Sequence, residues 1–208
     1  MQSSANVSLS AFEKQLVTDA NWILTKNKII QKVFILFGDL SESYQADALL
    51  KQLPGEVLQA APKISRGENY EGLPYVMLDY PRCFSRDDVF AIRTFFWWGN
   101  YFSITLHLKG KYKLQYEACV TNAIKKNKLN NAWINITEDE WMHHFNSNNM
   151  KIVEPHDAKT IASKNLLKLT CKLDLKDWDV ANEFLLNSFD QYLQVLINYC
   201  SPNDETDL

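Results

Sequence analysis

Residues 89–108 read VFAIRTFFWWGNYFSITLHL, two runs rich in aromatic and β-branched side chains on either side of Gly99-Asn100. Such residues fit a pleated, half-buried surface, and a Gly-Asn pair between two such runs signals a β-hairpin with a primed two-residue turn. In Tyr101–Leu108 the residues Phe102, Ile104, Leu106 and Leu108 alternate with Ser103, Thr105 and His107. Successive side chains of a strand point to opposite faces, so one face is expected to pack and the other to be polar. This hairpin fixes an antiparallel sheet at the middle of the chain.

Working outward, Leu73–Tyr80 (LPYVMLDY) is a strand candidate, expected to stop at Pro81, which has no amide to give a ladder. Residues 54–72 hold three of the six glycines and two of the six prolines and read as a loop. Residues 133–136 read as a short strand or extended segment. In Leu166–Leu173, Leu167, Leu169, Cys171 and Leu173 alternate with Lys168, Thr170 and Lys172, which predicts a strand with a solvated lysine face.

Helical spacing dominates both ends. Leu9, Phe12, Leu16, Ala20 and Ile23, continued by Ile30, Phe34 and Phe37, recur at three- and four-residue steps, and Gly38 offers a stop. A further short helix over 40–53 closes at Pro54-Gly55. Val180, Ala181, Phe184, Leu185, Phe189, Tyr192, Leu196 and Tyr199 line one stripe of a C-terminal helix. Tyr112, Tyr116, Cys119, Val120, Ala123 and Ile124 share a helical face, so the strand-like alternation at 112–116 gives way to a helix. Thr137 with Glu140 makes a capping box that predicts a helix through Phe145. The expected architecture is a single α+β domain over 1–208: an N-terminal helical layer (1–53), a sheet region with inserted helices (73–175) and a C-terminal helix (177–200). The antiparallel sheet should have four or five strands and pack against both terminal helical layers.

Composition excludes several function classes. With 22 basic and 25 acidic residues among 208, no global field recruits nucleic acid or an anionic membrane. No apolar run approaches the ~20 residues a membrane helix needs, and the first residues lack the pattern of a secretion signal. The four cysteines, Cys83, Cys119, Cys171 and Cys200, show no CxxC pair and read as free buried thiols in a reducing, cytoplasmic compartment. Glycine-rich phosphate loops, GxSxG and HExxH are missing, so the easily read enzyme classes fall away, and neither a metal nor a cofactor is expected.

Three groups of residues remain as candidates. Arg66, Arg82, Arg86 and Arg93 are the only arginines, and a guanidinium fork suits a carboxylate or phosphate. Arg82, Arg86 and Arg93, with Asp79 or Cys83 as the chemical group, would form an anion site; the plainer reading pairs Arg93 with Asp79, Asp87 or Asp88. Cys83 beside Arg82 is a reactive thiol or a buried one. Trp97, Trp98 and Tyr101 could wall a pocket or form a dimer surface. The six lysines of 109–128 with Tyr112 and Tyr116 could track a single strand of nucleic acid, although a solvated helix back is the plainer reading. His143 and His144 point about 100° apart on a helix and share no metal easily.

The run LPYVMLDYPRCF, continued by FAIRTFFWWGNYFSITLHLKGKY, within residues 73–112, resembles a family of uncharacterised bacterial proteins with no assigned activity. The resemblance spans a minor part of the chain, contains no catalytic motif and implies no site. The function expected from the residues is non-catalytic ligand binding or protein interaction, with a homodimer or a small molecule as partner. An anion-directed enzyme or binder, and a single-strand binder, are the alternatives.

Overall fold

A computed structural model describes residues 7–129 and 131–200. Its elements run α1 (Ala11–Thr18), α2 (Ala20–Ala46), β1 (Lys63–Tyr70), β2 (Leu73–Phe84), β3 (Val89–Trp97), β4 (Tyr101–Lys109), α3 (Lys111–Lys125), β5 (Trp133–Asn135), β6 (Met150–Ile152), α4 (Ala158–Ile161), β7 (Leu166–Asp174) and α5 (Ala181–Asn198). The fold is α+β, with one seven-stranded sheet in the order β1-β2-β3-β4-β7-β5-β6 and every neighbouring pair antiparallel.

Seven strands replace the expected four or five. The sheet begins at Lys63, inside the stretch read as a loop. β1 (KISRGENY) is an edge strand with charged residues along it, the composition that keeps an edge from pairing with other chains and that hides a strand's periodicity. β2 continues past Pro81 to Phe84 because the register shifts between the Asp79↔Arg93 and Arg82↔Ala91 rungs, and a bulge tolerates a residue that cannot donate. The β3–β4 turn has three residues rather than two: Trp97 pairs with Tyr101, Gly99 takes φ +71°, and the Asn100 amide donates to the Trp97 carbonyl at 3.0 Å.

The helices lie on one face. Val76, Leu78, Phe90, Ile92, Phe96, Phe102, Ile104, Leu106, Leu108, Leu167 and Leu169 are buried in one core with Phe37, Leu40 and Tyr44 of α2, Tyr112 and Val120 of α3, and Leu185, Phe189 and Tyr192 of α5. Tyr44 stacks on Phe189 at 3.8 Å between centroids, and the Tyr192 hydroxyl meets the Ile104 and Leu169 carbonyls. Gly38 does not end α2. The buried Phe37, Leu40 and Tyr44 around it outweigh its propensity cost of ~1 kcal/mol. The apolar stripe expected at the N-terminus packs only from Ile30 onward, and α1 buries no residue.

Two thiols are not free. Cys119 of α3 and Cys200, just beyond α5, form a disulfide across a sequence separation of 81, tying the two helices together. A cross-link over so long a loop removes freedom mainly from the unfolded chain. Cys83 and Cys171 remain thiols.

The opposite face of the sheet is not solvated. Ser103, Thr105, His107, Lys168 and Thr170 are all buried, so the expected wet lysine face is realised only at Lys172. Residues 136–149, the connection between β5 and β6, lie across it. They form no helix, although Thr137 and Glu140 offer a cap. Their backbone groups find tertiary partners instead. The Tyr70 hydroxyl accepts from the His143 and His144 amides at 2.6 and 3.1 Å, Tyr101 donates to the His143 carbonyl at 3.2 Å, and the Lys168 ammonium donates to the Glu140 and Met142 carbonyls. A segment so satisfied gains nothing from helical bonds.

Candidate functional site

Among the described residues, two places stand out for their polar side chains. The first is the strapped face. Antiparallel register puts Asp79, Arg93, Thr105 and Thr170 side by side across four strands, with His107 and Lys168 on the next row. Arg93 grips Asp79 with both arms of its fork, Nε to Oδ1 at 2.7 Å and Nη2 to Oδ2 at 3.1 Å. Its Nη1 reaches His143 Nε2 of the strap at 3.3 Å. Thr105 and Thr170 share a hydroxyl bond at 3.0 Å. Glu140 of the strap takes Lys109 at 3.0 Å and stands 3.7 Å from His107 Nε2, a buried nitrogen with no hydrogen-bond partner among the described residues.

Desolvation rules these groups. Burial, reinforced by Lys168, Arg93 and Lys109, drives His107 down to about 3, and Glu140 at 3.7 Å does not reverse it. His143 is pushed well below the ordinary range by burial and then by Lys168 and Arg93. Lys168 falls to about 8, burial first and Arg93 second. Both imidazoles are therefore neutral at neutral pH, and the Arg93 charge is matched by Asp79. Beside this network, Phe95, Trp97 and Tyr101 form a second apolar cluster with Tyr70, Leu73, Tyr75, Met77 and the strap's Phe145. Chemically the arrangement is a fastener: paired charges and rings hold residues 136–149 on the sheet.

The sequence candidates scatter over this geometry. Arg93 and Asp79 meet, as the plainer reading required. Arg82 donates to the Ala61 carbonyl at 2.8 Å, and Arg86 is exposed and offers its own carbonyl to Lys109. Cys83 sits on the helical side, 3.4 Å from the Tyr112 hydroxyl, which bonds Glu56 at 2.8 Å. Burial raises that phenol's pKa, so it stays protonated and serves no thiol as base. Trp97 and Tyr101 are buried, and Trp98 is half-buried edge-on to Trp22 at 6.5 Å. The lysines from the end of β4 into α3 are taken internally: Lys109 by Glu140, Lys111 by Glu56 and Lys113 by Glu117. One His–carboxylate cluster among the described residues, Glu154, His156 and Asp157, already holds the Lys151 ammonium at 2.6 Å from Asp157.

The second place is a cleft of about 770 Å³ that sequence reading missed. β5 is three residues long and its last rung on β7 is Trp133↔Thr170, so from Cys171 onward β7 diverges from the chain leading into β5. α5 overhangs the gap and turns Phe184, Asn187, Ser188, Gln191 and Gln194 into it, positions three and four apart on one helical face. Asn127, Lys128 and Asn131 form the opposite wall, with Cys171 at the end. The Gln191 amide spans the gap to the Lys128 carbonyl at 2.7 Å. Of the charges at the rim, Asp190 accepts from Gln194 at 2.6 Å, the Lys172 ammonium lies against Phe145 at 4.6 Å and Trp133 at 4.9 Å, and the Lys128 side chain is exposed. The polar positions of an amphipathic helix are the only sequence trace of this site, and they read as ordinary solvated residues.

No protein-family model, curated protein or solved structure matches the chain. Among the described residues no helix is long and apolar enough to cross a membrane.

Proposed function

We propose that this chain is a non-catalytic binding domain that holds a small, uncharged, hydroxyl- or amide-rich molecule, of the sugar class, in the cleft beside α5. The observation that carries this reading is the lining: five carboxamides, of Asn127, Asn131, Asn187, Gln191 and Gln194, around one aromatic ring, Phe184. Each carboxamide both donates and accepts, which suits a ligand of hydroxyls, while a ring offers an apolar platform to a sugar's C–H face. The anion reading draws no support from Arg93, whose fork is filled by Asp79, nor the single-strand reading from Lys109, Lys111 and Lys113, which face carboxylates. The Cys119–Cys200 bond fits an oxidising compartment better than the cytoplasm expected from cysteine spacing.

Calorimetric titration with neutral mono- and disaccharides, set beside sugar phosphates and sugar acids, tests the assignment. A neutral saccharide is expected to bind with a dissociation constant of about 1 mM or tighter, and Asn187→Leu with Gln191→Leu to weaken it about tenfold or more. Heat from the anionic sugars alone, or none from any neutral one at about 10 mM, would remove the reading.

A further inference from the structure

A separate surface, independent of the cleft, lies at the N-terminal arm. Leu9, Phe12, Val17, Trp22, Ile23 and Leu24 are 45–72% exposed. Trp22, Ile23 and Leu24 are consecutive in a helix, so at 100° per residue they cover more than half its circumference. A helix apolar on several sides is one that is normally enclosed.

The sequence nonetheless specifies this arm. α1 has eight residues and buries none of them, well short of the ~12–15 residues at which an isolated helix becomes even marginal in water. It still carries a complete capping box, Ser10 Oγ accepting from the Glu13 amide at 3.2 Å and Glu13 accepting from the Ser10 amide at 2.7 Å. Helix-start chemistry on an element with no core beneath it marks a helix completed by something outside the chain.

We infer that the occupant is a second copy of this chain, bound arm to arm across a twofold axis. Two observations select it. The six side chains expose roughly 600–700 Å² together, close to the ~800 Å² that each partner contributes to a standard stable interface. Charge also changes sign along the arm. Residues 7–21 carry Glu13, Lys14 and Asp19, whereas residues 22–33 carry Lys28 and Lys32 and no acid, with Lys26 already paired to Glu68. An antiparallel, isologous pairing sets the acidic half of each arm against the basic half of the other, whereas a parallel pairing opposes like charges.

Light scattering on the full chain at about 50 µM, well above a micromolar dissociation constant, is the test. The account expects twice the 24.1 kDa chain mass. Phe12→Glu with Leu24→Glu should return it to the single-chain value while keeping one cooperative urea transition, because neither side chain enters the core. A wild type at the single-chain mass overturns the proposal, and so does a doubled mass that survives both substitutions. A single-chain wild type that binds phosphatidylcholine vesicles, while the double variant does not, assigns the arm to a lipid surface instead.

Discussion

Replacing Arg93 with methionine is expected to cost about 3–5 kcal/mol of folding stability, read as a large drop in urea midpoint at constant slope. Arg93 and Asp79 are both nearly excluded from solvent and bonded through two N–H···O contacts of 2.7 and 3.1 Å. Removing one member leaves the other charge buried with no counterion, and that penalty, more than the lost attraction, sets the size of the effect. Restoring neutrality should therefore recover much of it. Asp79→Leu combined with Arg93→Met should lie closer to wild type than Arg93→Met alone, since a well-packed apolar pair often replaces a buried ion pair at little cost. A loss below about 1 kcal/mol for the single variant would mean that water reaches the pair and that the strap does not seal it.

The second large effect is acid sensitivity. His107 is held down to about 3 in the folded chain and recovers an ordinary imidazole pKa near 6.5 when unfolded. Between these values the unfolded chain binds a proton that the folded chain refuses. Stability is therefore complete above pH 6.5 and falls as pH drops toward 3, by roughly 4 kcal/mol over the window. His143 is displaced in the same direction and adds to the slope. His107→Gln should reduce the slope over pH 6.5–3 while leaving the His143 and carboxylate contributions. Equal pH slopes for wild type and variant would show that His107 is solvated and protonates freely.

The sequence anticipates the Arg93–Asp79 pair but hides the surroundings of His107, and the reason is physical. The β3–β4 hairpin, β7, the helix at 111–125 and α5 are legible because each repeats one side-chain period over eight or more residues, and that period is set locally. β1 is not, because an edge strand protected by charge has no apolar alternation to read. Residues 137–149 mislead outright. A local cap at Thr137 and Glu140 competes with partners such as Tyr70 and Lys168, which stand far off in sequence but adjacent in the fold. Lys168 looks solvent-facing because an ammonium in a strand ordinarily is; two strap carbonyls make its burial tolerable. Of the candidate residues, Arg93 and Asp79 were found by the rule that a buried guanidinium needs a carboxylate, while Arg82, Arg86 and Cys83 shared only sequence proximity with them. The amide-lined cleft was invisible because its two walls, α5 on one side and Asn127, Lys128 and Asn131 on the other, meet only after the sheet has closed between them.

Residues 136–149 seal the polar face, and the proposed binding at the α5 cleft rests on that seal. Amide hydrogen exchange at His143 and His144 measures this most directly, since both amides donate to the Tyr70 hydroxyl. The account predicts slow exchange at both, with protection approaching that of the core strands β3 and β4 and collapsing in Tyr70→Phe. Exchange at these amides as fast as in an unfolded peptide would contradict it, for the strap would then open and expose Arg93, Asp79 and His107 as a reachable site.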